Sequence, residues 1–234
     1  MSHNLAGFSA PISNFNIAQV LGKTGVLPIN TETFISPLGG AAPSFPSDTG
    51  ELIRLVSADA SDVGELRVVG LDTDYKVQTE RVQLNGITPV NTTKEFTRIN
   101  DLQWLESTAA AGNISATNVG ATETFRLRTA SAQLCEDLVY TTPAGSTAEA
   151  NQIYGAVTQD LNSQTICNLQ VYFRPIGEYF QRYFELPLSS RGASANSYLN
   201  VLSTSFEGPV DVYATATNSD ADASAFCRLS LKIL

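Results

Sequence analysis

Lys76-Val-Gln-Thr-Glu-Arg-Val-Gln-Leu-Asn-Gly86 is the stretch on which the fold reading turns. Val82 and Leu84 alternate with polar neighbours, a period of two that sends successive side chains to opposite faces of a strand. Asn85-Gly86 follows at once. Asn-Gly takes positive φ readily and closes hairpins whose twist matches the flanking strands, so a hairpin is expected there. On the upstream side Gly70-Leu-Asp-Thr-Asp74 supplies a second turn between strand-like runs. Residues 52–56, 65–69, 77–84 and 96–99 are all short and β-branched or alternating, which predicts strands.

The same habit continues downstream. Gly112-Asn-Ile-Ser-Ala-Thr-Asn-Val-Gly120 reads as a strand bracketed by turns, and Thr124-Phe-Arg-Leu-Arg128 extends the alternation. Residues 130–138 have helical propensity but are few, so a turn or a brief helix is the most they support. Strands are then expected at 138–142, 152–157, 167–174, 179–186, 210–217 and 226–234, with Thr142-Pro-Ala-Gly-Ser-Thr147 as a β-turn. The fold class that follows is all-β, a β-sandwich or jelly-roll-like body. That body is assigned to residues 49–234, as one unit or as two subdomains of about 49–125 and 136–234. Residues 1–48 are rich in Asn, Ser, Pro and Gly without a strand or helix period, and are read as an extended N-terminal arm. Pro37, Pro43 and Pro46 suit such an arm to clamping a neighbour, because proline reduces the entropy lost on ordering. On this reading, deletion of residues 1–45 leaves a folded β domain.

Composition excludes several function classes. A formal charge of -9 and a pI near 4.6 argue against nucleic acid as a partner, since that affinity comes from clustered Lys and Arg. No apolar run reaches membrane-spanning length, so no membrane partner is expected. Met1-Ser-His-Asn-Leu-Ala-Gly7 has neither the basic nor the apolar region of a signal peptide, so export is not expected either. Cys135, Cys167 and Cys227 are far apart in apolar surroundings, which fits buried free thiols and not a zinc or redox motif.

The chemistry-bearing residues give no expected catalytic, cofactor or metal site. His3 is the only histidine, so a Ser-His-Asp or Cys-His centre lacks a base. Asp72 and Asp74 lack the further oxygen ligands of a calcium loop. Glu136 and Asp137 are read as solvated surface, although paired carboxylates keep a carbohydrate-active enzyme as a minor alternative. Gly39-Gly40 and Gly120 lack the context of phosphate-binding loops. The densest feature is an aromatic band, with Tyr172, Arg174, Tyr179 and Tyr183 as interface candidates, since Tyr and Arg are favoured at protein interfaces. Strict alternation places Phe180, Arg182 and Phe184 on one face of that strand and Tyr179, Gln181 and Tyr183 on the other.

Two stretches carry a resemblance. The first contains Arg67-Val-Val-Gly-Leu-Asp-Thr-Asp-Tyr75, then Glu80-Arg-Val-Gln-Leu-Asn-Gly-Ile-Thr-Pro-Val-Asn-Thr-Thr-Lys-Glu-Phe-Thr-Arg-Ile-Asn100, then Ala111-Gly-Asn-Ile-Ser-Ala116. The second contains Leu138-Val-Tyr-Thr-Thr-Pro-Ala-Gly-Ser-Thr-Ala148, followed by an apolar strand with Tyr172-Phe-Arg-Pro175. In order and spacing they resemble a family of tailed-bacteriophage virion structural proteins of the cyanophage and marine-phage type, over residues 51 to 188. Ser146 departs from that family, whose members often carry Lys there. The resemblance implies a non-catalytic virion component, made in the host cytoplasm. The expectation drawn from it is a capsid decoration or cement protein on the capsid surface, a homotrimer whose partner is the major capsid protein. The alternative is a tail, fibre or neck-adaptor protein, though neither Gly-X-Y triplets nor heptads are present to trimerise a fibre.

Overall fold

A computed structural model describes residues 16–24, 26–40, 42–132, 135–158, 164–191, 194–219 and 223–234. Two strands lie in the N-terminal segment, β1 (Asn16–Lys23) and β2 (Thr33–Phe34). Seven follow in the first half: β3 (Glu51–Ser57), β4 (Glu65–Leu71), β5 (Val77–Gln83), β6 (Val90–Phe96), β7 (Arg98–Trp104), β8 (Ile114–Asn118) and β9 (Thr124–Arg128). The rest are β10 (Val139–Thr141), β11 (Thr147–Thr158), β12 (Gln164–Pro175), β13 (Gln181–Arg191), β14 (Ser194–Glu207), β15 (Val210–Asn218) and β16 (Ser224–Ile233). Among the described residues there is no helix, and the chain is all-β, as its periodicity predicts.

Among the described residues, four antiparallel sheets make two sandwiches. In the first, the sheet β6-β3-β8-β9 faces β5-β4-β7, and Ile53, Leu55, Leu66, Val68, Phe96, Leu102, Ile114 and Phe125 form the core between them. In the second, β1-β16-β11-β14 faces β10-β15-β12-β13, with β2 added to β15. Its core holds Ile153, Leu169, Phe173, Leu188, Leu229 and Leu231 among others. β16 shows how sequence sets the layer: Ala225, Cys227, Leu229 and Leu231 are buried while their neighbours are only partly so, the alternation of a strand with one face on a core.

The turn at Asn85-Gly86 forms but does not join paired strands. Thr88 N donates to Asn85 O at 3.0 Å and Gly86 has φ +55, yet β5 pairs with β4 and β6 pairs with β3. The turn therefore carries the chain from one sheet of the sandwich to the other. The β4–β5 hairpin is closed instead at Asp72–Tyr75, where the Asp72 carboxylate accepts from the backbone N–H groups of Asp74 and Lys76, both at 2.9 Å. Residues 96–99 are likewise a corner, not one strand. β6 ends at Phe96, β7 begins at Arg98, and the Thr97 hydroxyl between them donates to Asp72 O at 2.7 Å. Residues 130–131 form a turn, and β14 has no counterpart in the strands expected from sequence.

The largest departure concerns the arm. Residues 1–15 lie outside the described residues, but the described residues of 16–36 are built into the second sandwich, and Asp48 reaches Arg98 and Tyr75 of the first. β1 pairs along its full length with β16. Ile35 N donates to Ala214 O at 2.9 Å, and Ile35 O accepts from Leu138 N at 2.9 Å, which wedges this segment between β10 and β15. Leu27, Phe34 and Ile35 are all 1 % exposed or less. Their burial is the physical reason that the segment does not stand free.

Candidate functional site at the junction of the sandwiches

β15 is covered on both faces, and its outer face is where the two sandwiches meet. Asp211 is fully buried there. Its Oδ1 accepts from Arg98 Nε at 2.8 Å and from Thr141 Oγ1 at 2.6 Å, while Oδ2 accepts from Arg98 Nη2 and Arg174 Nε, both at 3.1 Å, and from Arg174 Nη2. Arg98 belongs to β7 of the first sandwich; Asp211, Thr141 and Arg174 belong to the second. Arg98 also pairs with Asp48 Oδ1 at 2.9 Å. Burial pulls the Arg98 guanidinium down, but Asp211 and Asp48 outweigh it and hold the group above its ordinary value. Burial likewise tends to raise Asp48, and the Arg98 partner keeps its carboxyl below the ordinary value.

Backbone geometry brings the halves close enough for this. A β-bulge in β7 leaves Asn100 without a ladder partner between the pairs Val69–Asp101 and Gly70–Ile99, and a Cβ at Gly70 would lie 2.1 Å from Arg98 O, so only glycine fits beside the start of β7. Asn100 then exchanges two hydrogen bonds with the backbone of Thr141, each 2.9 Å, so one side chain does the work of a strand edge.

Aromatic rings fill the space around the charges. Phe45 lies 4.8 Å from the Arg98 guanidinium and 5.1 Å from that of Arg174, and Arg174 also sits 4.2 Å from the Phe180 ring, separations suited to cation–π attraction. Arg126 and Arg128 on β9 are wholly buried as well. Arg126 Nη1 donates to Phe125 O at 2.6 Å, while its Nε and Nη2, and Nε and Nη1 of Arg128, have no hydrogen-bond partner among the described residues. Burial pushes both guanidiniums below their ordinary value, opposed by Asp137 at Arg126 and by Cys135, Asp101 and Asp62 at Arg128.

A cavity of about 420 Å³ also lies between the sandwiches, lined by Val20 of β1, Arg67 of β4, Asp101 and Gln103 of β7, Asp137 and Tyr140 among others. Asp101 accepts from the N–H groups of Leu102 and Cys135 at 2.9 and 3.1 Å and from Gln103 Nε2 at 2.7 Å. Asp137 accepts from Leu127 N at 3.0 Å and from Ser36 Oγ. It is only 4 % exposed, which corrects the reading of this position as solvated surface. Burial raises both carboxyls and carries the Tyr140 phenol up to about 12. Among the described residues no cluster of three His, Cys, Asp or Glu is arranged to hold a metal ion.

The raised carboxyl of Asp101 has a consequence for pH. A group whose folded pKa exceeds its unfolded pKa contributes stability that is fully present below the unfolded value and lost as pH rises through the folded one. Stability is therefore expected to fall as pH climbs out of the ordinary carboxylate range, and Asp101→Asn is expected to flatten that slope. Urea midpoints of both proteins across the acid range measure it, and parallel pH profiles would show that Asp101 is not responsible.

The sequence-predicted interface residues divide into two groups. Tyr172 and Arg174 are largely taken up internally: Tyr172 stacks on Tyr213 with centroids 4.9 Å apart and donates to Glu32 Oε1 at 2.6 Å, and Arg174 serves Asp211. Tyr179 is 91 % exposed and Tyr183 45 % exposed. Strict alternation fails here because a bulge between Val171 and Tyr172 pairs Val171 with Phe184 and Tyr172 with Arg182. Tyr183 is the extra residue, so Tyr183 and Phe184 both touch Phe173, at 5.5 and 5.8 Å. Pro37 and Pro43 are half-buried and Pro46 is buried within the chain's own fold. Arg98, Asp211 and Phe45 had no signal in sequence spacing.

No protein-family model and no curated protein matches the chain. Solved structures give weak alignments. The structure of infectious bursal disease virus Gx strain aligns at 7% identity and TM-score 0.25, covering 94% of this chain and 75% of that one. That of the Gt strain aligns at 10% and 0.25, covering 97% and 74%. The VP2 subviral particle of the same virus aligns at 8% and 0.21, covering 94% and 72%. At TM-scores this low the alignments establish neither a family nor a function.

Proposed function

We propose that this chain is a virion structural protein that decorates and stabilises a bacteriophage capsid, binding major capsid protein subunits as a homotrimer on the capsid surface after synthesis in the host cytoplasm. The observation that carries the reading is the use of buried charge. Arg98, Asp211 and Arg174 are directed at one another between the sandwiches, where they fix one body against the other instead of meeting a substrate. A buried ion pair adds little net stability over apolar packing, and its best-supported use is to specify geometry. A fixed two-sandwich body suits a component that spans a lattice. Exposed Tyr179 and Tyr183 supply residues of the type favoured at protein contacts. The resemblance of residues 51–188 to tailed-phage virion proteins supports the same reading, and with it a non-catalytic role.

The test is cryo-electron microscopy of the intact particle, joined to its heat resistance. Density at many symmetric positions over the shell, with particles that open at lower temperature when the protein is missing, is the expected result, since binding to the folded lattice stabilises it. Density confined to one vertex or to the tail would replace decoration with the neck, tail or fibre role.

A further inference from the structure

Two of the three thiols lie in the core of the second sandwich, one on each of its sheets. Cys167 lies on β12 and Cys227 on β16, in opposite sheets, and each is 0 % exposed. Register places Cys227 between two glycines, Gly22 on β1 and Gly155 on β11. Residues directly opposite in an antiparallel pair share a face, so Cys227 points inward between two positions that carry no side chain. A Cβ built at Gly155 would lie 2.2 Å from Leu169 Cδ1 and 3.2 Å from Leu188 Cδ1. Leu169 is two residues from Cys167 on the same face, and Leu188 is the register partner of Cys167. The leucines beside Cys167 thus pack into the space left by the glycine beside Cys227, which places the two thiols in neighbouring positions across the core. A disulfide needs Cβ atoms about 3.5–4.5 Å apart, inside the usual sheet spacing of about 10 Å, so closing the bond requires the sheets to approach at this pair, and the glycines on either side of Cys227 carry no side chain to oppose that approach. Burial carries both thiols up to about 12, and Cys167 adds to the shift of Cys227, which agrees with their proximity.

We propose that Cys167 and Cys227 are a cross-sheet disulfide site, closed when the chain meets a low-molecular-weight disulfide. One cysteine thiolate attacks the oxidant's S–S bond, forming a mixed disulfide and releasing one small thiol. The other thiolate then attacks the protein sulfur of that mixed disulfide and expels the second small thiol. Two protein S–H groups and one small disulfide thereby become one protein S–S bond and two small thiols, with the protein oxidised and the reagent reduced. Exchange requires thiolate and access, so the bond closes during folding or on opening, and the closed sandwich resists it. Cys135 belongs to the other core cluster and stays a thiol.

The experiment refolds the full chain and its Cys135→Ser variant with oxidised glutathione. The expected product of the variant has lost two hydrogen masses, yields a proteolytic fragment joining Cys167 to Cys227, titrates no thiol in denaturant and unfolds at higher urea than its reduced form. The unmodified chain should differ by one remaining thiol, at Cys135. Cys167→Ser should instead accumulate a glutathione adduct at Cys227. Persistent glutathione adducts in the variant that retains both cysteines, or links found only between two chains, would show that the thiols do not meet and would overturn the proposal.

Discussion

Asp211→Ala is expected to destabilise the protein by about 3–5 kcal/mol, the scale for removing one partner of a buried ion pair and leaving the other charge uncompensated. Asp211 accepts from two guanidiniums and from the Thr141 hydroxyl. Its loss leaves the Arg98 side chain, 1 % exposed, with Asp48 as its remaining ion partner. Arg174, with 25 % of its side chain exposed, can turn toward water, so Arg174→Ala should cost less, about 1 kcal/mol on the scale of exposed pairs. Urea titrations give both numbers. The second expected consequence is loss of cooperativity: if this network is what couples the sandwiches, their unfolding should separate into two steps in Asp211→Ala. A single transition shifted by less than about 1 kcal/mol, within the range of an ordinary surface substitution, would mean that packing alone joins the two halves.

The contrast between Asp211 and β16 shows which parts of the molecule local sequence could reveal. In β16 the inward residues recur at every second position, and the strand faces one core, so a period of two was sufficient. Arg98 meets an acceptor 113 positions along the chain, and no local period encodes that distance. The alternation at Arg126 and Arg128 was legible but not its direction: both arginines turn inward toward Phe45, Trp104 and buried carboxylates. Tyr183 fails for a third reason, since one inserted bulge residue reverses the face of everything beyond it. The same limit hid β1. Gly22 sits inside that strand, where a Cβ would lie 2.4 Å from Leu138 Cβ, a close approach no local pattern shows. The fold class was therefore legible, while the junction, which depends on long-range pairs and close approaches, was not.

Deletion of residues 1–45 is expected to abolish the folded second sandwich, reversing what the composition of this segment suggests. The deletion removes Val20, Leu27, Phe34 and Ile35, which are 7, 1, 1 and 0 % exposed. Full burial of such a side chain contributes about 1.5–3 kcal/mol, so the four together approach the whole of a typical net stability of about 5–15 kcal/mol. Backbone pairing is lost as well. Without β1, β16 becomes an unpaired edge along Phe226–Ile233, a template for association with other chains, and Leu138 N loses its acceptor at Ile35. The truncated chain should be aggregated or should lack a cooperative urea transition, as judged by size-exclusion chromatography and denaturation. A soluble, cooperatively unfolding product would show that β11, β16, β12 and β15 hold the core without the N-terminal segment. That outcome would return residues 16–45 to the role of a detachable arm, free to clamp a neighbouring subunit. Loss of the fold would instead mean that any clamp in the assembled particle is made by other surfaces, with exposed Tyr179 and Tyr183 the first to test.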